Sequence, residues 1–213
     1  MRSLAEIHAA LLDPGLIAVV RTKRRDQVIP LTRALLSGGI RAIEITMTTP
    51  EAIAAIREAC QLFGNEALIG VGTVLDAATA HAAMDAGAEF VVSPITKPEI
   101  AQAARARQRP VLLGALTPTE AQTAYEAGAD YIKLFPAEGL RPSYIKALLA
   151  PLPHLKIIPT GGVDLANIMT FFEAGCSAVG LGSSLITPAI LATDDWAALK
   201  ERAQEMVRAR GLR

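Results

Sequence analysis

The 213-residue sequence predicts a single α/β domain over residues 1–213, folded as a (β/α)8 barrel of the TIM type with an additional N-terminal helix. Three observations lead there. Short aliphatic runs alternate with Ala-rich helical stretches along the whole chain, and eight such units call for a parallel sheet. A helix-ending glycine recurs at Gly39, Gly87, Gly128 and Gly175, followed five residues later by Glu44, Val92, Lys133 and Gly180. Its intervals of 41–48 residues each hold two strand–helix units, which assigns these residues to strands two, four, six and eight. Alternate strands of a barrel fill one interior layer, so the four positions share a level. The third observation is negative: no Pro/Ser-rich break or low-complexity segment divides the sequence. A doubly wound open sheet explains the alternation but not the common register of the even strands.

In chain order, a helix over residues 4–12 precedes the first strand and is placed to cover the barrel bottom. Strands are read at 16–20, 42–46, 67–71, 90–93, 111–115, 131–135, 156–159 and 178–181, each a run rich in Val, Ile, Leu or Ala. Helices are read at 50–62, 77–86, 97–107, 118–127 and 166–174. Thr49-Pro50-Glu51, Thr117-Pro118-Thr119-Glu120 and Asp164 supply capping side chains, the first two with Pro at the first helical position. The four recurrent glycines end helices, because only glycine enters the left-handed cap without strain.

The apolar fraction of 51% suits strands buried on both faces, and 21 basic residues balance 21 acidic ones. That balance gives no reason to invoke nucleic acid or a membrane surface as partner. Cys60 and Cys176 fit no metal or redox spacing and read as two buried thiols in a reducing cytosol. No uncharged run approaches the ~20 residues that span a bilayer. The N-terminus shows no small-residue cleavage site, so a cytoplasmic protein is expected.

Lys133 lies inside the apolar run Tyr131-Ile132-Lys133-Leu134-Phe135, and Glu44 inside Ala42-Ile43-Glu44-Ile45. A strand-end lysine with its amine in water is the plain alternative for the first, and a surface carboxylate for the second. Burial disfavours an ammonium relative to a neutral amine, and a neutral amine condenses with a carbonyl to an imine. A buried carboxylate needs a partner, and the one across the lumen is Lys133. Thr160-Gly161-Gly162 follows strand seven, and Gly182-Ser183 follows strand eight and opens a helical segment. These two loops form the usual phosphate site of such barrels, where glycine lets backbone N–H groups approach an anion. Arg21, just after strand one, can add charge there because strand one closes against strand eight. Thr73 and Pro94, at the ends of strands three and four, face the same mouth. No Walker A or dinucleotide motif is present, and His8, His81 and His154 are too scattered for a zinc site. Neither a metal nor a cofactor is expected.

Ile43-Glu44-Ile45-Thr46, Gly70-Val71-Gly72-Thr73, Val92-Ser93-Pro94, Lys133-Leu134-Phe135-Pro136-Ala137-Glu138, Pro159-Thr160-Gly161-Gly162 and Gly182-Ser183 together resemble the 2-keto-3-deoxy-6-phosphogluconate (KDPG) aldolases. The resemblance runs from about Ile17 to Leu185. It implies a class I aldolase that cleaves KDPG to pyruvate and glyceraldehyde 3-phosphate, and a homotrimer. By position, Lys133 matches the Schiff-base lysine and Glu44 the general acid/base. Thr73 matches a residue near the pyruvate carboxylate, and Thr160 one near the substrate hydroxyls. Gly161, Gly162 and Ser183 match the phosphate cradle, and Arg21 a phosphate-side arginine. One departure is Thr48, where many members carry an arginine, which leaves open how the carboxylate is held and which C4 epimer is preferred. The stretch Arg141–Leu148 is similar to the galactonate-type aldolases, so a galactonate or dual-specificity enzyme with 4-hydroxy-2-oxoglutarate side activity is the alternative. A phosphate-ligand binding barrel with a merely structural Glu44–Lys133 pair is the non-enzyme alternative.

Overall fold

The structure, a computed structural model, describes residues 2–211. Eight parallel strands run in the order β7-β6-β5-β4-β3-β2-β1-β8: β1 (Leu16–Val20), β2 (Ala42–Thr46), β3 (Leu68–Gly72), β4 (Val91–Val92), β5 (Val111–Ala115), β6 (Tyr131–Leu134), β7 (Ile157–Pro159) and β8 (Val179–Leu181). β1 pairs with β8, and a bridge between Thr160 and Gly180 joins β7 to β8, so the sheet closes on itself. That closure decides for the barrel over the open sheet. The helices are α1 (Leu4–Leu12), α2 (Val28–Ser37), α3 (Ala52–Phe63), α4 (Ala77–Asp85), α5 (Pro98–Ala106), α6 (Pro118–Glu126), α7 (Pro142–Leu149), α8 (Ile168–Glu173), α9 (Pro188–Thr193) and α10 (Trp196–Ala209).

Side-chain alternation along each strand splits the core in two. Ile43 and Ile45 of β2, and Ile132 and Leu134 of β6, pack outward against the helices. Ala42 and Tyr131 point inward, into a separate cluster with Phe90, Leu112 and Ile158. Because side chains alternate with a period of two, Glu44 and Lys133 must also face the lumen. Helix α1 closes the lower end as anticipated: Ile7 and Leu11 are fully buried in the inner cluster. Burial of each contributes about 1.5–3 kcal/mol, enough to hold a nine-residue helix that has no sheet of its own to cover. Its start is fixed by a capping box between Ser3 and Glu6.

The recurrent glycines behave as read, with φ of +94° at Gly39, +110° at Gly87, +97° at Gly128 and +102° at Gly175. The helix starts need two corrections. Thr117 caps α6 in a capping box with Glu120, with Pro118 in the first turn. Thr49 does not cap α3: its hydroxyl accepts from the Thr22 amide at 3.3 Å, and α3 begins only at Ala52, after Glu51 in the left-handed region. Asp164 accepts from the amides of Ala166 and Asn167, but these belong to a turn that precedes α8. β4 is also shorter than the run 90–93, since Phe90 and Ser93 flank a two-residue strand.

Candidate active site

The carboxyl ends of the strands form the barrel mouth, and Lys133 and Glu44 meet just below it. Nζ of Lys133 lies 3.4 Å from Oε1 of Glu44, and the two residues are 4% and 2% exposed. The shared-layer prediction is thus met by direct contact between strands four places apart. On one side of each residue the in-register neighbour is a glycine: Gly70 beside Glu44 and Gly114 beside Lys133. Other groups use the room these glycines leave. A Cβ on Gly70 would fall 2.4 Å from the Phe90 ring, and one on Gly114 would fall 2.1 Å from the backbone of Pro94. Phe90 therefore forms the floor beneath Glu44, while the loop after β4 folds Pro94 inward over β5. That loop is held by Thr96, whose hydroxyl donates to the Gly114 carbonyl at 2.9 Å. Above the pair, the Phe135 ring lies with its centroid 5.3 Å from Nζ of Lys133.

Gly72 also belongs to this site, although in the sequence it enters only as part of the Gly70-Val71-Gly72-Thr73 run. A Cβ there would stand 1.9 Å from Oε1 of Glu44. The carboxylate thus occupies the space a side chain on β3 would take. Gly70 and Gly72 lie two residues apart on one face of one strand, and that spacing was the available signal. Thr73, immediately above, is half-buried with φ of +59°, a conformation that is a genuine outlier for a β-branched residue. Strain of this kind concentrates at functional sites.

The two glycine loops come together on the other side of the mouth. Gly161 and Gly162 have successive φ values of +92° and +73°, and a Cβ on Gly162 would fall 2.9 Å from Cα of Glu138. Thr160, nearly buried, directs its hydroxyl across Gly180, whose hypothetical Cβ it would meet at 2.3 Å. A Cβ on Gly182 would meet nothing within 4 Å, and no positive φ demands glycine there. Among the described residues, the amides of Gly162, Ser183 and Ser184 find no acceptor. Free backbone N–H groups in a glycine-lined turn are the donors that an anion requires. The segment after β8 is, however, a single turn in which Leu185 and Ile186 donate to the Gly182 carbonyl, and helix α9 starts only at Pro188. The expected helical segment at Gly182-Ser183 is therefore corrected to a turn, and the donors are backbone amides rather than a helix terminus.

Arg21 follows β1 and is exposed, with no ion pair among the described residues. Thr48 is exposed beside the mouth, and its hydroxyl donates at 2.8 Å to the hydroxyl of Thr46, whose own proton goes to the Val20 carbonyl. Both cysteines are free, Cys176 buried and Cys60 half-buried; burial pushes their thiols up to about 12 and about 11. Among the described residues, no three His, Cys, Asp or Glu side chains are grouped as metal ligands, and no helix is long and apolar enough to cross a membrane.

A closed parallel barrel with an amine–carboxylate pair in its lumen and a glycine-lined concavity at its rim is the arrangement of a sugar-acid lyase. Residues 7–202 match the aldolase family described as KDPG and KHG aldolase, and the chain belongs to that family. It is 36% identical to the 2-dehydro-3-deoxy-phosphogluconate aldolase of Treponema pallidum, over 97% of this chain and 98% of the relative. It is 37% identical to the 2-dehydro-3-deoxy-6-phosphogalactonate aldolase of Escherichia coli, over 80% and 83% of the two chains. The KDPG aldolase of Legionella pneumophila, solved with pyruvate captured at low pH as a covalent carbinolamine intermediate, superposes with a TM-score of 0.83 at 29% identity, over 94% of this chain and 97% of that one.

Proposed function

We propose that the chain is a metal-independent, Schiff-base aldolase that cleaves KDPG to pyruvate and glyceraldehyde 3-phosphate. The observation that carries this reading is the 3.4 Å approach of the buried Lys133 amine to the buried Glu44 carboxylate, above an apolar inner cluster. The neutral amine attacks the C2 ketone of the substrate. Glu44 protonates the carbinolamine hydroxyl, which leaves as water and gives the iminium. As the proton on the C4 hydroxyl departs to the same carboxylate, C3–C4 breaks and its electron pair moves into the iminium. Glyceraldehyde 3-phosphate is released, and an enamine of pyruvate remains on Lys133. Protonation at C3 and hydrolysis of the imine return pyruvate and the free amine.

Thr73 and Pro94 line the pyruvyl side, and Thr160 addresses the substrate hydroxyls. The amides of Gly161, Gly162, Gly182 and Ser183 receive the phosphate, with Arg21 as the nearby cation. The gluconate epimer is the primary reading. The 37% identity to a phosphogalactonate aldolase favours assay of the C4 epimer in parallel. We read the enzyme as cytoplasmic and homotrimeric. Exposed Leu75, Ile95, Leu116, Phe135 and Leu165, which follow β3 to β7 around the rim, support burial of this surface between subunits.

Borohydride reduction in the presence of pyruvate tests the central claim. The wild type should gain one irreversible pyruvate-derived adduct, and Lys133→Ala should gain none and lose nearly all turnover. Chelation with EDTA should leave the rate unchanged. Turnover that survives Lys133→Ala but disappears with EDTA would overturn the mechanism, and a chain that forms no adduct would be a binding barrel.

A further inference from the structure

We infer that Arg202, on the terminal helix α10, is the positioning residue of the anion cradle. This proposal rests on the reading of the Gly161-Gly162 and Gly182-Ser183 loops as a phosphate site. The two loops come from different strands, and free amides converge on one anion only if the spacing between the loops is fixed. Two side-chain hydrogen bonds fix it. The Ser184 hydroxyl donates to the Val163 carbonyl at 2.5 Å and ties the turn after β8 to the loop after β7. The guanidinium of Arg202 donates through Nη2 to the Ser184 carbonyl and ties the same turn to α10. Ser184 is thus held from both sides, while its own amide and that of Ser183 remain free to point at a ligand.

The condition of Arg202 argues that this contact does more than fasten a loop. The residue is half-buried, and its Nε is buried without a hydrogen-bond partner. No carboxylate pairs with it among the described residues. A cation that leaves water for one carbonyl, with a second N–H unsatisfied, is a poor source of stability by itself. Placed behind the turn, it has a second effect. It leaves a positive charge, unneutralised by any carboxylate among the described residues, against the turn that carries the free Ser183 and Ser184 amides. That charge favours an anion at the turn, where the amides are free. Arg202 touches no substrate in this arrangement and acts through Ser184. Sequence reading offers no path to it, because nothing about an arginine on an amphipathic terminal helix distinguishes it from its neighbours.

The test uses inorganic phosphate as competitive inhibitor, the KM of phosphorylated substrate, and borohydride trapping of pyruvate as a report on the lumen. Arg202→Met should raise the inhibition constant for phosphate and the KM for phosphorylated substrate by about tenfold, the scale of one charge-assisted hydrogen bond. Pyruvate trapping should persist and kcat should change far less than KM. Arg202→Lys keeps the cation and should recover part of the loss. Ser184→Ala breaks the strap with the charge intact and should weaken phosphate in the same direction. A wild type indifferent to phosphate would overturn the phosphate reading and this inference together. A wild type that binds phosphate, with unchanged inhibition constants in Arg202→Met and Ser184→Ala, would overturn this inference alone. Should Arg202→Met fail to fold, Ser184→Ala and Arg202→Lys decide: normal phosphate inhibition in both refutes the role.

Discussion

Substitution of Gly72 by alanine displaces the Glu44 carboxylate without the removal of any functional group. The added Cβ would stand 1.9 Å from Oε1 and 2.6 Å from Cγ and Cδ of Glu44, whereas ordinary contact begins near 3.4 Å. The carboxylate must therefore retreat by about 1.5 Å, a large shift against its 3.4 Å separation from Nζ of Lys133. A misplacement of about 1 Å at a reacting centre costs on the order of 10²-fold in rate, so kcat should fall by at least that factor. Overpacking should cost about 1–3 kcal/mol of stability. Gly70→Ala is the control, because its Cβ would press on the Phe90 ring at 2.4 Å rather than on the carboxylate. Pyruvate release, followed through lactate dehydrogenase, gives the rates, thermal melts give the stabilities, and borohydride trapping shows whether Lys133 still forms its imine. Equal losses of rate in the two variants, or a folded Gly72→Ala protein with wild-type kcat, would refute the claim that the position of Glu44 sets the rate.

Glu44→Gln should retain slow imine formation with pyruvate but lose about 10²–10⁴-fold in turnover, the usual worth of a general acid–base group; near-normal turnover would remove Glu44 from the mechanism. Gly182→Ala places a methyl group in open space, so its melting temperature should match the wild type while inhibition by inorganic phosphate weakens. An unchanged inhibition constant there would move the anion elsewhere. At acid pH, the carboxyl of Asp76 is held below its ordinary value of 3.8 chiefly by the Thr79 amide, and Glu120 below 4.5 chiefly by the Leu116 amide. Lowered carboxyl values mean that this stabilisation is fully present above the ordinary values and is lost as pH falls from them through the lowered ones. Melting temperature should therefore drop below about pH 4.5, and less steeply in an Asp76→Ala/Glu120→Ala double variant.

The barrel and its central pair were legible in the sequence because both are matters of register. A helix that stops at glycine starts the next strand at a fixed offset, and an alternating strand then decides which side chains face the lumen. That reasoning placed Glu44 and Lys133 together across 89 residues. It failed where tertiary contacts outbid a local signal. Thr49-Pro50 has the form of a helix start, yet the Thr49 hydroxyl is drawn to the Thr22 amide across the mouth, and α3 begins later. Gly182-Ser183-Ser184 has the form of a helix opening, yet Ser184 is committed to Val163 and to Arg202, and the chain makes one turn before Pro188.

The lumen at the level of the pair is shaped as much by missing side chains as by present ones. Two functional side chains extend into it from β2 and β6, while Gly70, Gly72, Gly114 and Gly180 contribute none. Each vacancy has a different tenant: the Phe90 ring, the Glu44 carboxylate, the Pro94 backbone and the Thr160 hydroxyl. Two of these tenants are polar side chains and one is a loop from the mouth, so the glycines of the inner strands decide where the working groups stand. Gly182 differs from them. No protein atom lies within 4 Å of the place its side chain would take, and its backbone conformation does not require glycine. This vacancy has no internal tenant and lies next to the unpaired amides of Ser183 and Ser184, so it is open to a ligand. The inner glycines thus fix where the Glu44 carboxylate and the Thr160 hydroxyl stand, and the outer one leaves open the space in which the phosphate is proposed to bind.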